Sequence, residues 1–226
     1  MAEPGVTQRL AAAGAAFSNP PPEGAIPATP ASLDSAGARS PLAGLVGPTS
    51  GPVTFEERPF VGKISLRGDP ANASFMTAAA KVLGASLPTE PCRFLEHDGY
   101  RIHWVGFDHW MIYAPEGAEG PLKAKLDAAL EDIHHAAVDV SDYYTVIRVT
   151  GFKARALMQK GCPLDLHPRA FGPGQCAGTV FHHAAVFVAQ TDALDDGSAT
   201  YDVQIRWSFA KYLWDYFADG AREWGV

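Results

Sequence analysis

The chain has 226 residues, 47% of them apolar, and a formal net charge of −7, with a sequence pI of about 5.6. That is enough apolar material for one large packed core or two small ones. The acidic balance, with basic residues scattered rather than striped, gives the surface no draw toward nucleic acid or anionic lipid. The cysteines Cys92, Cys162 and Cys176 stand far apart and without a CxxC pair, which excludes a secreted disulfide framework and a zinc knuckle. No charged n-region precedes an apolar stretch at the N-terminus, and the longest apolar run, Ala184 to Ala189, is too short to span a bilayer. No membrane partner is expected, and a cytoplasmic location is.

Residues 1–52 hold half of the chain's 18 prolines, many Ala and Gly, and Phe17 as their only aromatic. Such a segment buries too little apolar surface to offset its ordering entropy, so the sequence predicts a flexible, disordered tail, extended along a partner near Ser40 to Val46 if anywhere. Folded sequence is expected over residues 53–226. Phe60 to Leu66 reads as a strand. Asp69-Pro70 reads as the opening of a helix, Asp at the N-cap and Pro at the first helical position, and Gly84 as its end. Tyr100 to Val105 and His109 to Tyr113 read as an antiparallel pair turned at Gly106-Phe107-Asp108. Pro121 starts a helix whose Leu122, Leu126, Ala129, Leu130 and Ile133 share a face, and Ala136 to Val140 begins the next strand. This βαββαβ order is the split-βαβ arrangement.

The second half repeats the theme. A strand over Tyr144 to Val149 meets Gly151, a helix runs from Phe152 to Lys160, and Gly161 stops it. A proline-punctuated loop, Cys162 to Gln175, then leads into a long strand from Thr179 to Ala189, apolar on both sides and so central. Tyr201 to Trp207 alternates, with Tyr201, Val203, Ile205 and Trp207 on one face and Asp202, Gln204 and Arg206 on the other. Ser208 is read as the cap of a last helix that groups Phe209, Tyr212, Leu213, Tyr216 and Phe217. The expected fold is α+β: two interlocked split-βαβ (ferredoxin-like) half-units of about 53–138 and 139–226.

Chemistry is harder to find. The eight histidines, His97, His103, His109, His134, His135, His167, His182 and His183, invite a metal hypothesis. Adjacent pairs on a strand point to opposite faces, so structural histidines are the expectation. A site joining Cys162, His167 and Cys176 is the alternative, at spacings that match no standard zinc pattern. There is no GxSxG elbow and no cysteine in a recognised catalytic context. Asp139 and Asp142 bracket a strand end, where Asp caps turns. Gly151, Gly161, Gly172, Gly174 and Gly178 form no GxGxxG after a strand. Catalytic, cofactor-binding and metal residues are therefore all expected to be none. Trp214, placed off the Phe209–Leu213–Phe217 face, and Trp224 are candidate interface anchors, with packing on the chain's own body as the other reading of Trp214.

The stretch AVDVSDYYTVIRVTGFKARALMQKGCPLDLHPRAFGPGQCAGTVFHHAAVF and the closing SFAKYLWDYFADGAREWGV resemble the gamma subunit of heterotetrameric sarcosine oxidase. SPLAGLV, FVGKISLRG and the His109–Tyr113 strand agree, so the resemblance covers about Ser40 to Val226, with KGCPLDLHPRAF and CAGT as its most specific parts. The family is related to the folate-binding aminomethyltransferase of glycine cleavage. Asp139-Val140-Ser141 and Val149-Thr150-Gly151 match the shared core element, but His182-His183-Ala184-Ala185 stands where active members carry an acidic pair. The resemblance implies a complex that demethylates sarcosine oxidatively to glycine, yields hydrogen peroxide and passes the one-carbon unit to tetrahydrofolate. FAD, FMN, NAD, zinc and tetrahydrofolate would sit in the alpha, beta and delta partner subunits, leaving this chain a non-catalytic structural role. The same role in an N-methylglutamate or other N-methylamino acid dehydrogenase complex, a free-standing folate-binding aminomethyltransferase-like protein, and a small histidine-dependent metal hydrolase are the alternatives.

Overall fold

The computed structural model describes Gly37 and residues 39–226, so most of the tail expected over residues 1–52 lies outside the described residues. Its last part is no tail. The backbone turns at Ser40, with Ala43 N–H on Ser40 O and Leu45 N–H on Leu42 O. Leu42, 2% exposed, joins the core that holds Phe55 and Trp214. Burying one leucine contributes about 1.5–3 kcal/mol, which anchors a stretch whose composition alone reads as unfolded.

Among the described residues, ten strands form two antiparallel sheets. Sheet one has the order β3-β4-β5-β2-β6, where β2 is Gly62–Gly68, β3 Phe94–His97, β4 Tyr100–Gly106, β5 His109–Ala114 and β6 His135–Asp139. Helix α1 (Ala73–Leu83) connects β2 to β3, and α2 (Glu119–Ala129) connects β5 to β6. The expected cap at Asp69 is displaced. Asp69 Oδ1 accepts only from Ala71 N–H, closing a local turn, while Asn72 Oδ1 accepts from Ser74 and Phe75 N–H at 3.0 and 3.2 Å. Asn72 is the residue whose carbonyl starts the helical ladder, so its side chain reaches the first free donors. Gly68 lies under the Phe75 ring, where a Cβ would collide, and so lets α1 seat closely on the sheet.

Sheet two has the order β1-β7-β10-β9-β8, with β1 Thr54–Arg58, β7 Tyr144–Gly151, β8 Gln175–Phe181, β9 Ala184–Ala193 and β10 Ala199–Arg206. Helices α3 (Ala154–Gln159) and α4 (Trp207–Ala221) flank it. Four expectations are corrected here. The long strand over Thr179 to Ala189 is two strands, folded back at His182-His183 with His182 at φ 52; the pair of polar residues inside the apolar run marks the turn. The second split-βαβ unit is also absent. A hairpin, with Leu194 N–H on Ser198 O and Gly197 at φ 88, joins β9 directly to β10, so β10 lies between β7 and β9. The units are not contiguous either, because β1 belongs to the second sheet. Nor does Ser208 cap α4, which starts one residue earlier with Arg206 at the N-cap.

Alternation along the strands stacks four layers. Ile64, Leu66, Ile102, Trp110 and Ile112 face α1 and α2, while Ile147, Val149, Val188, Tyr201, Val203 and Ile205 face α3 and α4. The intervening residues, among them Met111, Tyr113, Val146, Cys176 and Phe187, meet between the sheets. No helix among the described residues is long and apolar enough to cross a membrane. Leu42→Ala is expected to cost about 2–5 kcal/mol and to lower Tm by roughly 5–15 °C; an unchanged melting curve would return residues 40–52 to a free tail.

Candidate functional site

The polar face of β10 meets sheet one. Asp202, 4% exposed, accepts from Arg148 Nε and Nη2 of β7 at 2.7 and 2.8 Å. Its Oδ2 also accepts from Arg101 Nη1 of β4 at 2.5 Å, so one carboxylate ties the two sheets. Burial works against the charge on Asp202, but the hydrogen bonds and charge of Arg148, then Arg101, outweigh it and hold the carboxyl below its ordinary range. The same bond raises the pKa of Arg148. Beside this triad, Tyr113 Oη donates to Gln204 Oε1 at 2.8 Å.

His103, fully buried, lies with its ring 4.4 Å from that of Tyr113 and 5.6 Å from that of Phe187. Burial, and then the charge of Arg101, push its pKa down to about 3. The neutral ring donates through Nδ1 to Met111 O at 3.1 Å, and its Nε2 has no partner among the described residues. Lys63 is also buried in this layer, its Nζ donating to Val61 O at 2.7 Å. Burial lowers its pKa to about 8 against the opposing pull of Asp139 and Asp142.

A cavity of about 560 Å³ opens at one end of this layer, walled by residues 58–61, 96–101 and 113–116 and floored by Val146, Arg148 and Asp202. The sequence marks none of this as a site. The signal was the polar face of β10, Asp202 and Gln204, which alternation alone leaves pointing to water and which sheet one covers.

The histidine and cysteine candidates do not converge. Cys162 packs in the core behind sheet two, Cys176 lies between the sheets, and His167 is exposed. Among the described residues no three His, Cys, Asp or Glu side chains are grouped to hold a metal. Burial raises both thiols, Cys176 to about 12, and its Sγ donates to Trp104 O. Asp139 does cap a turn, accepting from Ser141 N–H and Oγ–H at 2.9 and 2.6 Å.

The face of α4 differs from expectation. The helix buries Ala210, Leu213, Trp214, Phe217 and Ala221, and Trp214, 5% exposed, packs edge-on against Phe55 at 5.0 Å. Bulk misled the wheel: the two alanines complete the inward stripe, and Phe209 and Tyr212 are left 42% and 37% exposed. Tyr212 Oη lies 2.5 Å from His182 Nδ1 at the tip of the β8–β9 hairpin. Trp224 is half-buried, with Lys160 Nζ 4.5 Å over its ring.

Two face-packed antiparallel sheets, each backed by helices, define an α+β protein with the fold seen in a glycine cleavage system aminomethyltransferase from Bartonella henselae. That chain is 14% identical, with a TM-score of 0.55 over 75% of this chain and 46% of the other. The chain belongs to the sarcosine oxidase gamma subunit family, whose model matches residues 67–223. The sarcosine oxidase subunit gamma of Corynebacterium sp. (strain P-1) is 32% identical over 178 residues, 78% of this chain and 84% of that one. The heterotetrameric sarcosine oxidase from Corynebacterium sp. U-96, in complex with pyrrole 2-carboxylate, contains a chain 25% identical that covers 84% of this one. It matches with a TM-score of 0.75, and 97% of that chain is covered.

Asp202→Asn leaves two guanidinium groups facing each other across a neutral amide and is expected to cost about 3–5 kcal/mol, read as a fall in Tm. His103 gives a pH signature. Between its unfolded pKa, about 6.5, and its folded value of about 3, the unfolded chain binds a proton that the folded ring refuses. Stability therefore falls as pH drops through that window. In thermal melts from neutral to acid pH, His103→Phe should flatten this part of the decline; an unchanged slope would show that the ring protonates within the fold.

Proposed function

We propose that the chain is the non-catalytic structural subunit of a heterotetrameric sarcosine oxidase. The complex would demethylate sarcosine to glycine in the cytoplasm, form hydrogen peroxide and pass the one-carbon unit to tetrahydrofolate. FAD, FMN, NAD, zinc and tetrahydrofolate would be bound by alpha, beta and delta partners, and the choice of N-methyl substrate would rest with them. Membership of the gamma subunit family supports the assembly, and the structural role rests on one observation. The buried titratable groups are tuned for holding the fold: Asp202 is spent on two arginines, His103 is locked neutral, and both buried thiols are raised. A general base or nucleophile needs a pKa moved toward neutrality, and these move away from it. Lys63, whose pKa does move that way, is buried with its ammonium on a backbone carbonyl.

The partner-facing surface in this reading includes Phe209, Tyr212 and the His182-His183 tip, with Trp224 at the end of the same helix. Trp214 has its ring in the chain's own core, so Phe209 and Tyr212 take the anchor role. Large exposed aromatics of this kind dominate binding hot spots. Co-expressed with its partners, the tagged chain should elute as a flavin-coloured complex. Phe209→Asp with Tyr212→Asp should reduce the yield about tenfold, a loss near 1.4 kcal/mol, while the melting curve of the chain alone is kept. A colourless chain eluting by itself, or a tight 1:1 folate complex of the isolated chain, would overturn the reading.

A further inference from the structure

The cavity floor carries an unbalanced charge. Arg101 and Arg148 share the single buried carboxylate of Asp202, so the triad bears a net positive charge in a partly desolvated place. Glu96 also accepts from Arg101 Nε at 2.6 Å, with a side chain 58% exposed, and offsets part of that charge from the solvent side. Two donor groups remain. Arg148 uses Nε and Nη2 on Asp202, and Arg101 uses Nε on Glu96 and Nη1 on Asp202, which leaves Arg148 Nη1 and Arg101 Nη2 unpartnered among the described residues. The guanidinium carbon of Arg101 lies 5.4 Å from the centre of the Phe94 ring, within cation–π range.

The walls fit an apolar body. Phe60, Val61, Tyr100, Tyr113 and Val146 line the cavity, and about 560 Å³ lies within the range of clefts that enclose small organic ligands. Phe60 and Asp98, at φ 55 and 47, are two of the four non-glycine residues with left-handed backbone among the described residues, and both line this one cavity. A phenylalanine held there stores strain, of a kind that concentrates at ligand clamps. Besides the triad the lining carries Glu96, Asp98 and Glu116 against Arg58, an acidic balance that disfavours phosphates and dicarboxylates more than a single carboxylate.

We propose that this cavity binds a small organic monocarboxylate, its carboxylate on the free guanidinium nitrogens of Arg101 and Arg148 and its apolar body against Phe60, Tyr100 and Val146. The site is one of binding and not of reaction, and it is independent of how the chain assembles. Planar guanidinium groups suit a carboxylate, which can accept from both at once.

Calorimetric titration of the full chain with benzoate, and with benzamide as its uncharged counterpart, tests this. Benzoate should bind at least about tenfold more tightly than benzamide, and Arg148→Met should remove at least about tenfold of the affinity. Because that variant also unpairs Asp202, Val61→Trp serves as a second: it fills the cavity without touching the triad and should abolish binding with the fold retained. Equal binding of benzoate and benzamide, no heat at several millimolar benzoate, or full binding by Val61→Trp would overturn the site. Tighter binding of succinate or inorganic phosphate than of benzoate would overturn the ligand class.

Discussion

One carboxylate holds the two halves together. Asp202 stands on the central strand of sheet two and grips Arg148 beside it and Arg101 across the gap. Each sheet has its own apolar core against its own helices, so each could pack without the other. What joins them is a thinner, mixed layer: the triad, the Tyr113–Gln204 bond, a few aromatic rings and, along one edge, backbone hydrogen bonds from Phe94 to Gly174 and from Cys176 to Cys92. Burying a charge is costly unless it is fully paired. The pairing therefore fixes the relative position of the sheets more than it adds stability, since a shift by one residue would strand the carboxylate between strands.

The polar side of that layer also explains what could be read from the chain and what could not. The β4–β5 hairpin, the helix ending at Gly84, the helix expected from Pro121, which starts at Glu119, and the alternation expected over Tyr201 to Trp207, whose strand is Ala199–Arg206, were legible, because local turn chemistry and periodicity carry them. β1 was missed because it is a short, polar edge strand whose partner, β7, is remote in sequence; β3 was missed although it pairs locally with β4 across Asp98-Gly99, a dipeptide that marks hairpins. The His182-His183 turn was hidden because no Gly or Asn marks it. The inward face of α4 was misjudged because alanines weigh little on a helical wheel although they define where a helix can approach. Of the candidate site, Asp202, Arg101 and Arg148 lie 101 and 54 residues apart in sequence, and no spacing rule brings them together.

The match with an aminomethyltransferase is a match of fold alone at 14% identity. The architecture nonetheless places a cavity and a charged floor at the end of the inter-sheet layer. Function on such a fold lives in the side chains grafted onto it, and here the charged floor is built from two arginines that share one aspartate.

The position of β1 has a consequence for how the protein is made. Thr54 pairs with Thr150 and Arg58 with Val146, so once synthesised this strand waits for the whole of sheet one, both its helices and β7 before it finds its partner. Contacts of such long range slow folding. Sheet one has all its strands and helices in the chain before β7 exists and can form as an early module. Sheet two closes later around a strand already behind it, which stitches the segment before sheet one to the segment after it. Neither sheet can then be cut away as an independent domain at any single point between them without removing a strand from the other.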